Sequence, residues 1–181
     1  IKRDDGAVMM DQVRAMFSLV TRTDVGVGLA QELAADVHRH VARNNHDSDF
    51  IAGESMLALS TMSGLRSDAA VAKTTHDALT SVLSSQPETG HPLRVALHAI
   101  GNTGDLTLLP AADRFLASAD LDTRKAAMHV FSRMPPAQTD AVEVELLKRE
   151  TSPFVKKVMY RIFQQQHLDM QQGASPEPVA Q

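Results

Sequence analysis

Eight histidines are the side chains here best suited to chemistry, because imidazole is both the commonest metal ligand and a proton carrier near neutral pH. Their spacing decides what they can do. His38 and His40 lie two positions apart on a predicted helix, which points them to roughly opposite sides, so they do not converge on one metal even with His46 nearby. We read all three as solvated surface. His98 and His129 occupy neighbouring positions of two similar segments and could line up along one ridge; half-buried packing or a hydrogen bond to a loop accounts for them without a ligand.

The other reactive residue types form no recognisable constellation. Lys148, Arg149, Lys156, Lys157 and Arg161 make a basic cluster suited to an acidic partner, although cations near helix ends also favour the helix dipole and cover apolar surface. Gly101-Asn-Thr-Gly104 has too few glycines, no following Lys and no preceding strand, so it is not a phosphate loop. No local motif suggests a Ser, His and acid trio. The sequence therefore assigns no catalytic, cofactor-binding or metal-ligating residue, and the expectation is a protein that is not an enzyme and carries no cofactor.

What must position these side chains is helical. Placing Arg94 over Arg124 and Lys156 aligns Arg94-Val-Ala-Leu-His-Ala-Ile100, Arg124-Lys-Ala-Ala-Met-His-Val130 and Lys156-Lys-Val-Met-Tyr-Arg-Ile162. Small or apolar residues coincide at Ala96, Ala126 and Val158, at Leu97, Ala127 and Met159, and at Ile100, Val130 and Ile162. A period of about 30 residues is that of stacked helix pairs. The fold class expected is all-α, a right-handed HEAT-like α-solenoid of stacked antiparallel helix pairs.

Apolar periodicity places helices elsewhere too. Val8, Met9, Val13, Met16, Phe17 and Val20 share one face, and Leu29, Leu33, Val37 and Val41 repeat every fourth residue. A polar loop is expected over 42–48. The next helix, over 50–62, is apolar on nearly every side and so should lie buried between neighbours. A helix over 68–84 follows, with Ser67 or Asp68 as its cap, and Gln86-Pro-Glu-Thr-Gly90 breaks it. Two hairpins come next, 92–100 with 105–117 and 121–134 with 140–149.

Gly101 or Asn102 is expected in the left-handed conformation that ends its helix, and Asp105 is placed to cap the next one. Pro135-Pro136 should force a turn, and Ser152-Pro153 is an N-cap followed by proline at the first position of a helix to about Gln165. Residues 1–165 thus read as one helical domain and 166–181, rich in Gln, Gly, Pro and Ala, as a flexible tail or linker. The start at Ile1 suggests a piece of a longer protein or a mature product.

Composition agrees with helical layers. Aromatic residues are only 4% and methionines number 9, which suits helices that approach too closely to admit many rings. A net charge of -4 gives no general pull toward nucleic acid or an anionic membrane, and no apolar run reaches the length of a membrane span. The absence of cysteine excludes disulfides and thiolate metal sites without fixing the compartment.

One segment resembles a known family. Leu97-His-Ala-Ile-Gly-Asn-Thr-Gly104, followed by Leu108-Leu-Pro110, is similar to the "leucine, x, alanine, leucine, glycine, asparagine, x, glycine" turn in the helical domain of vitellogenins and related large lipid transfer proteins. Upstream, Glu54-Ser-Met-Leu-Ala-Leu-Ser60 looks like that domain's preceding core helix, and Glu150 to Met159 looks like a later helix start. Ser60 stands where the family often has Gly, the family's cysteines are missing, and generic HEAT repeats share part of the pattern.

The resemblance implies a curved two-layer helical arch around the β-sheets of a lipid cavity, in a secreted protein. Its partners would be other domains of the parent protein, with lipid held mainly by the sheets. The alternative is a HEAT-type module that grips a protein along its concave face.

Overall fold

The computed structural model describes residues 26–43, 46–65 and 67–173. The helix expected over Val8 to Val20 lies outside them. Among the described residues every regular element is helical: α1 (Val27–Val41), α2 (His46–Leu65), α3 (Ala69–Ser85), α4 (His91–Thr103), α5 (Leu109–Ala112), α6 (Leu121–Met128), α7 (Pro136–Arg149) and α8 (Pro153–Gly173). Three 3₁₀ segments, Leu106–Leu108, Asp113–Ala117 and His129–Phe131, flank α5 and follow α6. The protein is all-α.

The starts of α3, α6 and α8 follow local capping chemistry. The Asp68 carboxylate accepts from the backbone N–H of Ala70 at 2.8 Å and of Val71 at 3.3 Å, satisfying two donors that the first turn of α3 would leave bare. Asp120 does the same for α6, accepting from the Thr123 N–H at 2.8 Å. Ser152 accepts weakly from the Val155 N–H at 3.5 Å, with Pro153 opening α8.

Several boundaries differ from expectation. The polar loop over 42–48 is shorter, since α2 already begins at His46, where Asp47 and Asp49 complement the positive end of the helix. Helix α7 begins at Pro136 rather than 140, because a proline at the first helical position sacrifices no hydrogen bond. The helix expected over 105–117 is split: Pro110 has no N–H to offer the Leu106 carbonyl, so the segment opens as a 3₁₀ turn instead. Helix α8 continues beyond Gln165 to Gly173, into the stretch expected to be tail, and Gln166 on it is buried.

The helices pack in order. α2 lies on α4, α4 on α6 and its following 3₁₀ turn, and α6 on α8. On the other side α1 packs against α2 and α3, and α3 against α2, α4 and α5. The Asp113–Ala117 turn contacts α6, and α7 contacts α8. The apolar α2 is buried between α1, α3 and α4, as its sequence demands.

The core falls into two clusters. A small one joins α1, α2 and α3 through Leu33, Leu59, Met62 and Val71. The larger one runs from Val37 on α1 to α8 through Leu93, Leu97, Ile100, Phe115, Phe131 and Met159. Leu97, Ala127 and Met159, aligned in the sequence repeat, are each 0% exposed.

Two glycines set the spacing of the α2–α4–α6 row. A Cβ on Gly101 would stand 1.9 Å from the His129 carbonyl oxygen, and one on Gly64 would stand 2.4 Å from that of Asn102. The left-handed residue expected at Gly101 or Asn102 is instead Gly104, with φ 67°. Helix α4 runs on through Gly101, whose lack of a side chain serves a neighbouring backbone rather than its own dihedral angles.

Candidate functional site

The α4 to α6 crossing builds the most distinctive side-chain arrangement. Helix α4 carries His98 one turn before Gly101, and the 3₁₀ segment after α6 carries His129, whose carbonyl Gly101 admits. The two imidazoles stack with ring centroids 4.1 Å apart and planes tilted by 36°. Both are half-buried, in keeping with the packing explanation drawn from the sequence. Burial, with His129 beside it, pushes the His98 pKa down to about 4, and burial lowers that of His129.

This pair lies in an open groove of about 410 Å³ between α4, α6 and α8. His91, Arg94 and Val95 line it from α4, Asp122, Lys125 and Ala126 from α6, and Val158 from α8. Lys125 pairs with Asp122 at 2.7 Å. The groove is thus mixed in character, with aliphatic floor, neutral imidazoles and a charged rim.

A second cavity, of about 400 Å³, lies where the Asp113–Ala117 turn meets the start of α6 and the α7–α8 connection. Its apolar lining includes Leu116, Met128 and Leu146, and its polar lining Arg124, Arg149 and Glu150. Arg124 Nε donates to Glu150 at 3.1 Å and its Nη1 to the carbonyls of Ser118 at 2.6 Å and Ala119 at 3.2 Å. Glu150 also accepts from the Ser152 N–H at 2.7 Å. With three acceptors on one guanidinium, Arg124 braces the entry to α6 against the entry to α8.

A His, Asp and Thr cluster assembles from residues far apart in sequence. His76 Nδ1 lies 3.4 Å from Asp105 Oδ2 and 3.2 Å from Thr107 Oγ1. It is not a nucleophile relay. Both contacts use the same ring nitrogen, and the Thr107 hydroxyl donates into the Asp105 carboxylate at 2.6 Å rather than toward a base. Burial alone would raise the Asp105 pKa, but hydrogen bonds from Thr107 and His76 outweigh it and hold the carboxyl below its ordinary range. Asp105 also accepts from the Thr107 N–H at 2.9 Å, which is its capping role.

The remaining sequence candidates stay apart. His38 is exposed, His40 Nδ1 lies 3.4 Å from Ser48 Oγ, and His46 is exposed beside Asp47. Among the described residues no three His, Asp or Glu side chains converge as a metal-binding set. Of the basic cluster, Lys148 and Arg149 both approach Glu145 on their own helix at 3.8 Å. Lys157 and Arg161 are exposed and Lys156 is half-buried. Met56, Met62, Met128, Met134 and Met159 fill the core.

Sequence reasoning missed Gln166, which is 4% exposed and donates through Nε2 to the carbonyls of Phe131 and Met134, the latter at 3.0 Å. Only a buried glutamine in an otherwise polar tail could have signalled it, and burial there depends on where α8 docks. No helix among the described residues is long and apolar enough to cross a membrane. No family model, curated protein or solved structure matches this chain.

Proposed function

We propose that this chain is a non-catalytic scaffold, a right-handed α-solenoid of antiparallel helix pairs whose working surface is the α2–α4–α6–α8 row. One observation carries the reading: successive helices of that row pack on one another, at distances that leave Gly64 and Gly101 no room for a side chain. Repeat proteins build extended binding surfaces by stacking of this kind. The shared burial of Leu97, Ala127 and Met159 supports the same register.

In its most specific form the scaffold is the helical arch of a vitellogenin-like lipid transport protein. That form rests on the turn from Leu97 to Gly104 and its flanking helices. An arch supports a lipid cavity from outside, so this chain contacts other domains and meets lipid only indirectly. The second reading, a HEAT-type module for a protein partner, is favoured by the mixed groove between α4, α6 and α8.

Liposome flotation and native mass spectrometry of this chain and of a longer parent protein test the choice. The arch predicts little lipid on the chain alone and stoichiometric lipid on the parent. Stoichiometric lipid on the chain alone overturns it, and a lipid-free parent that binds a protein partner supports the interaction module.

A further inference from the structure

We propose that the His98–His129 pair is a proton-sensitive fastener of the crossing between α4 and the turn after α6, closed while both rings are neutral and loosened by acid. The geometry carries this. The ring centroids are 4.1 Å apart, and one turn further along α4 Gly101 lies so close to the His129 carbonyl that a Cβ would stand 1.9 Å from it. A crossing with no slack on its backbone side cannot shift to separate two imidazolium ions in place. It can only open.

The surrounding charges do not offset protonation. From α4 the groove receives His91 and Arg94, and from α6 Asp122 and Lys125, while α8 contributes only the apolar Val158. Asp122 is engaged by Lys125 at 2.7 Å, and the charge of Arg94 acts on Asp120 at the head of α6. From α2, Glu54 interacts with His91. Arg94 and Lys125 add positive charge to the same groove, which opposes protonation of either ring.

The sign follows from the direction of the shifts. Burial lowers the folded-state pKa of both histidines below the ordinary 6.5, that of His98 to about 4. Their contribution to the closed state is therefore complete above pH 6.5 and is lost as pH falls from 6.5 toward 4. For His98 alone, an open form with an ordinary imidazole gains about 20-fold over the closed form between neutral pH and pH 5. Opening would widen the groove between α4, α6 and α8 without requiring α1 to α3 to unfold.

Proton-resolved NMR titration of the histidine rings in the whole chain, with amide-exchange protection factors from pH 7 to 4.5, tests it. The expected result is two rings titrating below the ordinary range. Protection over 97–103 and 126–131 should also fall at least tenfold more than in α1. In the doubly substituted His98→Gln/His129→Gln protein the excess loss should shrink below about threefold. Ordinary titration of both rings overturns the proposal, as does unchanged protection at pH 5 or an equal loss in the double variant. Should that variant fail to fold, the wild-type titration and exchange decide alone.

Discussion

Gly101 and Gly53 make opposite demands although both sit inside helices. Replacing a helical glycine with alanine ordinarily stabilises by about 1 kcal/mol through backbone entropy. At Gly53 the added Cβ meets nothing nearer than 3.6 Å, an ordinary contact, so Gly53→Ala should stabilise by up to about 1 kcal/mol. At Gly101 the Cβ would overlap the His129 carbonyl, and the forced shift of two backbones outweighs the entropy gain. Gly101→Ala should destabilise by about 1–3 kcal/mol. Urea denaturation of the pair checks this, and equal effects at the two sites would show that the close crossing is absent in solution. Glu143, 3% exposed, offers a titration test at the same scale. Burial, reinforced by Asp140, raises its pKa despite Thr139, His167 and Gln166, so its ionised form is disfavoured in the folded state. Glu143→Gln should raise the melting temperature at pH 7 and leave it nearly unchanged at pH 4, where the carboxyl is already protonated.

At the scale of elements, capping and packing separate cleanly. Removing the Asp68 carboxylate exposes two N–H donors at the start of α3, so Asp68→Ala should cost about 0.5–2 kcal/mol. Leu97 and Ala127 test the layers instead. Leu97→Ala leaves a cavity at a position 0% exposed and should cost about 2–5 kcal/mol. Ala127→Leu adds volume to a filled position and should cost about 1–3 kcal/mol. Wild-type melting of both variants would mean that the two positions do not face the shared core. Helix starts were legible in the sequence at Asp68, Asp105 and Ser152 because a cap is written within three residues of its target. Helix ends were legible at Val41, Ser85 and Arg149 but not everywhere. The stop of α4 at Gly104 rather than Gly101, and the 3₁₀ turns after Ala112 and Met128, depend on what lies against them.

Across the whole molecule, contacts run mainly between neighbours, and the small α1–α2–α3 cluster is distinct from the larger core. In the solenoid proposed above, stability is a sum of local terms and nearest-neighbour interfaces rather than one indivisible quantity. Leu33→Ala, at a residue 2% exposed in the small cluster, should therefore lower amide protection in α1 by more than tenfold while leaving α6 and α8 within about twofold. A uniform loss across all helices would show one cooperative unit and weaken the solenoid reading. The exposed side chains of Phe154 and Tyr160, 67% and 60% accessible on α8, also belong to this scale. Nothing in the local pattern of α8 distinguishes them from its buried Val155 and Met159 except the face they occupy.

The sequence by itself determined the helical class, the order of the helices, the caps at Asp68, Asp105 and Ser152 and the register in which Leu97, Ala127 and Met159 turn inward. Those features follow from periodicity and from hydrogen bonds spanning a few residues, which the chain specifies wherever it folds. Tertiary structure alone decided that Gly101 makes room for a carbonyl, that His98 meets His129 ring to ring, that Arg124 finds Glu150, and that Gln166 is buried. Each of these depends on the distance and rotation between two elements. Those are set by the summed packing of many side chains, and no short stretch of sequence contains them.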